Sequence, residues 1–490
     1  MMRLNDNSFD HETCPSQNTS PCGIICPLVP PTALRNLKQD PKYMDYVQIT
    51  QADRQEMLEK IGAPSVEALY ANLPPQYRLD RDLCLPPARS ELELQRDLAS
   101  LTAMNNTASS QACFMGAGAY DHFIPQVVNN MAGKGEFVTA YTPYQAEASQ
   151  GALQAFFEFQ TQVTKLTDLD VSNASLYDGA TAIVEGVLMA LNTTGKRRVL
   201  VGETVNPQYR TVIKSYLTDL AAEYVELPAT GGVIAESTIE AAMDKDTACL
   251  VIQSPNVFGQ IENWTKQFEI AHTQDKTMAI AVFNPIACSL LKRPGSCGAD
   301  IAAGEGQPLG IPFQYGGPWL GLFAASKKNM RKMPGRLIGQ TADKHGRRGF
   351  CLTLQTREQH IRGAKATSNI CTNQGLLAVR ATVYMSAMGP RGMQTVAKQC
   401  YHKAHYLADA ISKLEGYSLA YDGSFFHEFV VNCPTDAKAV IAAGKAKGML
   451  PGVACEKLGI GQSNQLLIAV TEKRTVEELD ALVALLKEVK

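Results

Sequence analysis

The stretches Cys249-Leu-Val-Ile252 and Ala279-Ile-Ala-Val-Phe283 decide the fold of this chain. Each is a short apolar run, and a segment with helical spacing near residues 265–274 lies between them. Short apolar runs that alternate with helices predict a mostly parallel sheet covered by helices on both faces. Ligands in such sheets bind outside the carboxyl ends of the strands, so we expect a functional site there.

The same alternation continues on both sides of these two runs. More short apolar runs predict strands, and the segments between them have the spacing of helices. Because the pattern persists across the centre of the chain, we predict a large α/β domain over residues 121–385. The additional predicted strands are 199–201, 224–227, 300–303 and 320–324, and the additional predicted helices are 207–218 and 237–243.

The amino-terminal part of the chain has a different texture. Thr50-Gln-Ala-Asp53 and Ser90-Glu-Leu-Glu93 have the spacing of capping boxes, in which a hydroxyl and an acid satisfy the first amides of a helix. They predict a mostly helical arm over residues 44–120. Residues 1–43 are polar and aperiodic, so we expect a disordered extension there.

The carboxyl-terminal part changes texture again after residue 386. Helical spacing at 401–414 is followed by apolar runs at 429–431 and 466–470 and by a last helix at 476–489. Helices and strands that do not alternate strictly are typical of an α+β arrangement. We therefore predict a small α+β domain over residues 386–490.

Composition excludes several classes of protein. The chain has 490 residues, 45% of them hydrophobic and 19% charged, as in globular proteins. A formal net charge of −2 gives no electrostatic attraction for nucleic acid or an anionic membrane. There is no uninterrupted apolar stretch of about 18 residues and no secretory signal pattern, so we expect a cytoplasmic protein.

The 13 cysteines are scattered through core-like segments, which is typical of reduced, buried thiols. Cys22 and Cys26 lie near Cys14 and His11, but the paired spacing of a zinc motif is missing. We therefore predict no metal site.

One glycine motif is compatible with a bound phosphate. Asp178-Gly179-Ala180-Thr181 precedes a run with helical spacing, and the amino end of a helix offers free N–H groups and a positive dipole end. The alternative is a capped helix with a tight turn. The motif alone favours the capped helix, because short glycine motifs are weak signals.

Three other segments allow a functional and a structural interpretation. Tyr141-Thr142-Pro143-Tyr144-Gln145 could line a polar pocket or simply pack at an interface. Gly316-Gly-Pro318 allows either close backbone contact or an ordinary turn. Arg357-Glu-Gln-His360-Ile-Arg362 could bind an anion or form a solvated helix start. Spacing alone therefore indicates an α/β protein that binds a small anionic ligand.

Taken together, several segments closely resemble the glycine cleavage system P-protein family, specifically one chain of its two-chain bacterial form. The likeness runs in order from about Met44 to the last helix. The segments include Ala117-Gly-Ala-Tyr-Asp-His122, Thr139-Ala-Tyr-Thr-Pro-Tyr-Gln145, Asn173-Ala-Ser-Leu-Tyr-Asp-Gly-Ala-Thr181, Gly304-Glu-Gly-Gln-Pro-Leu-Gly310 and Arg357-Glu-Gln-His-Ile-Arg362.

This resemblance implies a fold type I architecture, like that of the pyridoxal-phosphate-dependent aspartate aminotransferases. It also implies an α2β2 assembly with glycine decarboxylase subunit 2, which would carry the pyridoxal phosphate. The reaction expected of the assembly removes carbon dioxide from glycine and passes the aminomethyl group to the lipoamide of lipoylated H-protein.

Two groups that pyridoxal catalysis needs are missing from the expected positions. The cofactor is held by a lysine and needs an acid against its pyridine nitrogen. The matching strand ends in Asn284, which carries no charge, and the stretch from Asp300 to Gly317 contains no lysine. The resemblance explains this loss, since it is to the chain that keeps the fold without the cofactor.

The resemblance then assigns roles to the motifs. Asp178, Gly179, Ala180, Thr181 and Asn284 are expected to form a vestigial cofactor loop. Tyr141, Thr142, Tyr144 and Gln145 are expected to border the active site of the partner chain.

Two alternatives remain open. A self-sufficient pyridoxal enzyme would need a lysine after the strand at Asp300, where there is none. The sequence also allows a scaffold or regulatory protein that has left the complex, since the site of this chain is already vestigial. Gly363 and Ala364 also depart from the two charged residues that the family usually has after Arg362, so no carboxylate clamp is assigned to Arg362.

Overall fold

The computed structural model describes residues 49–79, 81, 83–85 and 88–489. The predicted extension over residues 1–43, with His11, Cys14, Cys22 and Cys26, lies outside the described residues. Contacts divide the chain into two compact units, Met1–Asp97 and Leu98–Lys490. Within the described part of the chain, no helix combines the length and the apolar character that a membrane crossing requires.

Helices occur in both units. In chain order they are α1 (Gln51–Ile61), α2 (Glu91–Thr102), α3 (Gln126–Ala132), α4 (Gly135–Val138), α5 (Gln150–Thr167), α6 (Gly179–Thr194), α7 (Pro207–Leu217), α8 (Glu236–Ala242), α9 (Trp264–Ala271), α10 (Gln359–Arg362), α11 (Gly375–Ile411), α12 (Ala437–Ala446), α13 (Cys455–Leu458) and α14 (Val476–Glu488).

The strands all lie in the second unit. They are β1 (Ala112–Cys113), β2 (Val171–Ser172), β3 (Arg198–Gly202), β4 (Glu223–Leu227), β5 (Thr247–Ser254), β6 (Met278–Phe283), β7 (Ile301–Glu305), β8 (Gly321–Ala325), β9 (Leu337–Ala342), β10 (Arg348–Thr353), β11 (Ser418–Leu419), β12 (Glu428–Asn432), β13 (Met449–Leu450), β14 (Val453–Ala454) and β15 (Gln465–Ala469).

The first unit confirms the predicted helix starts. The Thr50 hydroxyl accepts from the Asp53 N–H, and the Asp53 carboxylate accepts from the Thr50 N–H, so α1 begins with a capping box. Ser90 and Glu93 make the corresponding pair of bonds before α2. Leu58 is the single buried side chain among the residues of this unit that the structure describes.

A seven-stranded sheet in the order β2-β8-β7-β6-β5-β3-β4 forms the centre of the second unit. The pairs from β4 to β7 are parallel, whereas β8 is antiparallel to both β7 and β2. Leu250 and Ile252 of β5 pack into one hydrophobic cluster, and Cys249 and Val251 pack into the other. Successive side chains of a strand point to opposite faces, so this split confirms the predicted sheet covered on both sides.

The carboxyl-terminal residues form a second, antiparallel sheet in the order β11-β12-β15-β14. The long helix α11 runs across residue 386 and is interrupted at Gly389, whose φ is 60°, immediately before Pro390. The predicted domain boundary at residue 386 thus lies close to a break inside one helix, and the boundary itself stays a prediction.

Some elements were not predicted from the sequence. The hairpin of β9 and β10 has exposed or half-buried residues along most of its length, so it lacks a regular apolar alternation. Strands β1 and β13 are two residues long and pair in parallel across the chain. Such elements are fixed by distant partners rather than by local pattern.

The turn after β5 generates a test of packing. Gly259 has φ +82°, and a Cβ built there would lie 1.7 Å from the Glu428 carbonyl oxygen. We expect Gly259→Ala to destabilise the protein by about 3 kcal/mol, because it combines overpacking with left-handed strain. The readout is the thermal unfolding midpoint of the full chain.

Gly231→Ala is the matched control for this substitution. Gly231 also has a left-handed φ, +61°, but nothing lies within 4 Å of its built Cβ. We expect this control to cost about 1 kcal/mol from backbone strain alone. Equal losses in the two variants would contradict the role of the contact with Glu428.

Candidate functional site

The carboxyl ends of β5, β6 and β7 meet at one edge of the central sheet, as parallel strands must. A small cavity of about 30 Å³ lies at this edge. It is lined by side chains from the strand ends, from the glycine-rich loop at residues 114–121 and from the second sheet. The lining residues that matter for the site are Tyr120, Tyr209, Gln253, Asn284, Glu305 and His427.

The glycine-rich loop is held against this edge by a buried acid of β12. The Glu428 carboxylate accepts from the Ala117 N–H at 2.6 Å and from the Tyr120 hydroxyl at 2.8 Å. Burial raises the pKa of Glu428 to about 7, although both bonds lower it. Tyr120 is also tied to Gln307, whose side-chain oxygen accepts from the Tyr120 N–H at 2.9 Å. The loop therefore forms one wall of the cavity.

The predicted helix start at Asp178 is confirmed. The Asp178 carboxylate accepts from the Thr181 N–H and from the Thr181 hydroxyl, each at 2.8 Å, in a capping box at the start of α6. The Thr181 hydroxyl is therefore engaged inside its own helix cap. Ala180 is buried in the first turn.

Glu305, which the sequence analysis did not single out, reaches this helix end from β7. Its carboxylate accepts from the N–H of Gly179 at 2.9 Å, Gln307 at 2.9 Å and Leu320 at 3.0 Å. Burial raises the pKa of Glu305 to about 7, and the three N–H donors oppose this shift. Glu305 lies within the segment 304–310 that contributes to the resemblance, but its role was not predicted, because two of its three partners lie far away in sequence.

Asn284 lies directly after β6 and lines the cavity. Its side-chain oxygen accepts from the Ile286 N–H at 2.9 Å and from the Ala287 N–H at 3.2 Å. Asparagine commonly caps a turn in this way. The oxygen is therefore directed into its own turn.

Tyr144 belongs to a second cluster. Arg336 donates to the Tyr144 oxygen at 3.0 Å, and the guanidinium carbon lies 5.3 Å from the Tyr144 ring centroid. Arg336 also donates to the Thr372 hydroxyl at 3.0 Å and to the Cys371 carbonyl at 2.8 Å. The structure thus joins the segment 141–145 to residues 371–373 through an arginine that no motif revealed.

Only part of the rest of the segment 141–145 is at the surface, since Thr142 is half-buried and Pro143 is buried. Tyr141 is 89% exposed, and Gln145 is also exposed. Tyr141 and Thr142 line a surface cavity of about 170 Å³ together with Thr372 and other residues. The segment therefore places aromatic and hydroxyl groups at the surface. Arg336 holds the Tyr144 oxygen by a hydrogen bond.

Arg357, the first residue of the segment 357–362, has a mainly structural role. Arg357 is buried and donates to the carbonyls of Leu354, Met333 and Gly335, so the anion-binding interpretation is wrong for this side chain. His360 and Arg362 are exposed. The paired glycines at 316–318 form a turn before β8, since Gly316 has φ +107°.

Three metal-ligand side chains meet in the second unit. Ligand atoms of His122, Cys400 and Glu472 lie within 4.8 Å of one another. His122 Nδ1 lies 2.7 Å from the Glu472 carboxylate, and the Cys400 thiol donates to it at 3.4 Å. Burial raises the pKa of Glu472, but the charge and hydrogen bond of His122 outweigh burial and hold it at about 2. The contacts are those of three side chains hydrogen-bonded through one carboxylate.

Comparison with known proteins gives consistent results. The family model described as glycine cleavage system P-protein matches residues 44–486. A relative from Thermomicrobium roseum, named "Probable glycine dehydrogenase (decarboxylating) subunit 1", is 46% identical over 441 residues, which is 90% of this chain and 98% of the relative. A relative of the same name from Desulfitobacterium hafniense is 43% identical over 91% of this chain and 100% of its own length.

Solved structures agree with these relatives. The chain is similar to a crystal structure of glycine decarboxylase (P-protein) of the glycine cleavage system in inhibitor-bound form, with a TM-score of 0.85 and 42% identity. This match covers 91% of the present chain and 100% of the other. A sphingosine-1-phosphate lyase from Burkholderia pseudomallei has a TM-score of 0.61 at 13% identity, over 86% and 93% of the two chains, and shares the fold alone. The expected fold type I architecture is confirmed.

The site generates a prediction about pH. Burial, aided by the charge of His122, lowers the pKa of His427 to about 3, whereas a histidine in the unfolded chain has an ordinary pKa of about 6.5. The stability linked to His427 is therefore present above pH 6.5 and is lost as pH falls toward 3, at about 1.4 kcal/mol per pH unit.

His427→Asn removes this titration. We expect the difference in unfolding free energy between the wild type and this variant to shrink by about 2 kcal/mol between pH 6.5 and pH 5. Denaturant unfolding at a series of pH values measures it, with the exposed His402→Asn as control. The same pH dependence in both variants would show that His427 is not responsible.

Proposed function

The chain belongs to the glycine cleavage system P-protein family, and we propose that it is the subunit of a two-chain glycine decarboxylase that lacks a Schiff-base lysine and supports its partner's active site. The single observation that carries the proposal is that no lysine occurs from Asp300 to Gly317. The assembly would decarboxylate glycine and pass the aminomethyl group to the lipoamide of H-protein.

Pyridoxal phosphate is the cofactor of the P-protein. The residues of this chain do not fit that cofactor. A cavity of about 30 Å³ has room for one or two water molecules, whereas ligand pockets usually measure several hundred Å³. Gln307 lies near the place expected for the lysine, and its amide donates to the carbonyls of Tyr120 and Ile311. The proposal therefore places the cofactor on the partner chain.

Within this proposal, the segment 141–145 contacts the partner's active site. Exposed Tyr141 and half-buried Thr142 present groups that can pack against another chain and donate hydrogen bonds. Tyr144 is 53% exposed while its oxygen is held by buried Arg336. A side chain whose oxygen is held by its own chain and whose surface is partly exposed is suited to positioning a group that another subunit supplies.

Exposed apolar side chains in the first unit support an assembly. Tyr77 is 79% exposed and Leu85 is 71% exposed, and more leucines of this unit are also exposed. Several of these side chains lie close together in sequence, and exposed apolar patches mark protein–protein contacts. We assign them to the expected α2β2 complex with glycine decarboxylase subunit 2. The cytoplasmic location expected from the sequence belongs to the same proposal.

Cofactor trapping tests the proposal most directly. We expect this chain alone, purified with pyridoxal phosphate, to give no Schiff-base absorbance and no lysine trapped by borohydride. In the complex, the trapped lysine should be on the partner chain. A trapped lysine on this chain alone would instead favour the self-sufficient pyridoxal enzyme.

Tyr144→Phe tests the contribution of this chain to the partner's site. We expect glycine decarboxylation by the complex to slow about tenfold, the effect of losing one hydrogen bond to a charged group in the transition state. Assembly, followed by size-exclusion chromatography, should not change. Turnover is measured as carbon dioxide released from labelled glycine.

Tyr406→Phe is the matched control, because the Tyr406 hydroxyl also makes a hydrogen bond, to Asp480 at 2.8 Å, on an exposed part of the second unit. It should leave turnover at the wild-type value. If Tyr144→Phe also keeps wild-type turnover, Tyr144 has no place in the site.

A further inference from the structure

We propose that the Glu305 carboxylate is a built-in anion that occupies the phosphate position of the former cofactor site and thereby excludes phosphate esters from this chain. The inference rests on the proposed function for the nature of the excluded ligand. The assignment of the carboxylate to the phosphate position rests on its hydrogen bonds.

The Glu305 contacts are those of a bound oxyanion. Phosphate groups in proteins commonly bind at the amino end of a helix, where backbone N–H groups converge and the helix dipole is positive. Here the amino end of α6, a helix of 16 residues, donates the Gly179 N–H to Glu305. Gln307 and Leu320 donate two more backbone N–H groups. One side chain thus takes the donors that a phosphate would use.

Packing leaves no space for a second anion beside Glu305. A Cβ built on Gly179 would lie 2.9 Å from the Glu305 Cβ and 3.0 Å from its backbone nitrogen. The start of α6 and the end of β7 are therefore pressed together at Gly179. The positive end of the helix is covered by this chain's own strand.

His427 provides an independent observation on the same cavity. It is 1% exposed and lines the same cavity as Glu305, and neither of its ring nitrogens has a hydrogen-bond partner among the described residues. Buried polar groups normally have partners. The cavity is too small for a phosphate ester, and its imidazole has no partner in the part of the chain that the structure describes. Both features are expected where a protein side chain has filled a polar ligand site.

The test removes the carboxylate and offers inorganic phosphate in its place. We expect Glu305→Ala to bind about one phosphate per chain in equilibrium dialysis, and the wild type to bind none. Saturating phosphate should also raise the thermal midpoint of the variant by about 2 °C or more relative to chloride of the same ionic strength. The full-length chain is used throughout.

Glu185→Ala is the matched control. Glu185 is also a buried carboxylate, but it lies inside α6 rather than at its amino end. Its removal should give no phosphate binding. If Glu305→Ala does not fold in chloride, the readout becomes the yield of folded protein refolded in phosphate against chloride.

Each outcome is decisive. Phosphate binding or phosphate-dependent folding of Glu305→Ala alone supports the proposal. Binding by the wild type, or no response of Glu305→Ala to phosphate in either assay, overturns it. Neither result depends on which chain holds the trapped lysine, so failure here is distinguishable from failure of the proposed function.

Discussion

The contact on which the active-site edge depends is the one between Glu305 and the amino end of α6. Gly179 and Glu305 are 126 residues apart in sequence, yet their N–H and carboxylate lie 2.9 Å apart. The same carboxylate fixes the turn after β7 through Gln307 and the approach to β8 through Leu320. A single side chain therefore sets the spacing of a helix and two strands. Gly179 has to be a glycine because that spacing leaves no room for a Cβ.

Burying acids at this edge has an electrostatic cost. Burial raises the pKa values of Glu305 and Glu428 to about 7, so their ionised forms are less favourable here than in water. Glu472 differs, because an adjacent histidine overcomes burial and keeps its pKa at about 2. The first two acids are compensated by N–H and O–H donors instead of a cation. This compensation is geometric, so it fixes the loop at residues 114–121 and the start of α6 in place.

The sequence predicted the parts of the fold that depend on local pattern. The apolar runs of β5 and β6 marked buried strands, and the Thr50 and Asp178 boxes marked helix starts, since each signal lies within a few residues. The hairpin of β9 and β10 and the roles of Arg336 and Glu305 were not predicted. Each of these depends on contacts between residues far apart in the chain, as Arg336 does with Tyr144. A single charged residue in a loop or at a strand end carries no sign of such a partner.

The sequence shows that no lysine occurs from Asp300 to Gly317, and the hydrogen bonds of Glu305 give the reason that this edge is ordered on the proposal that the chain holds no cofactor. A cofactor phosphate satisfies the N–H groups at a helix start, and its loss would leave buried donors unpaired, at a cost of about 1–3 kcal/mol each. Glu305 satisfies three such donors from within the chain. On the proposal that this chain holds no cofactor, the side chain that takes the phosphate position also keeps this edge of the fold intact. The segment 141–145 belongs to the Arg336 cluster instead, where Tyr141, Tyr144 and Gln145 are exposed.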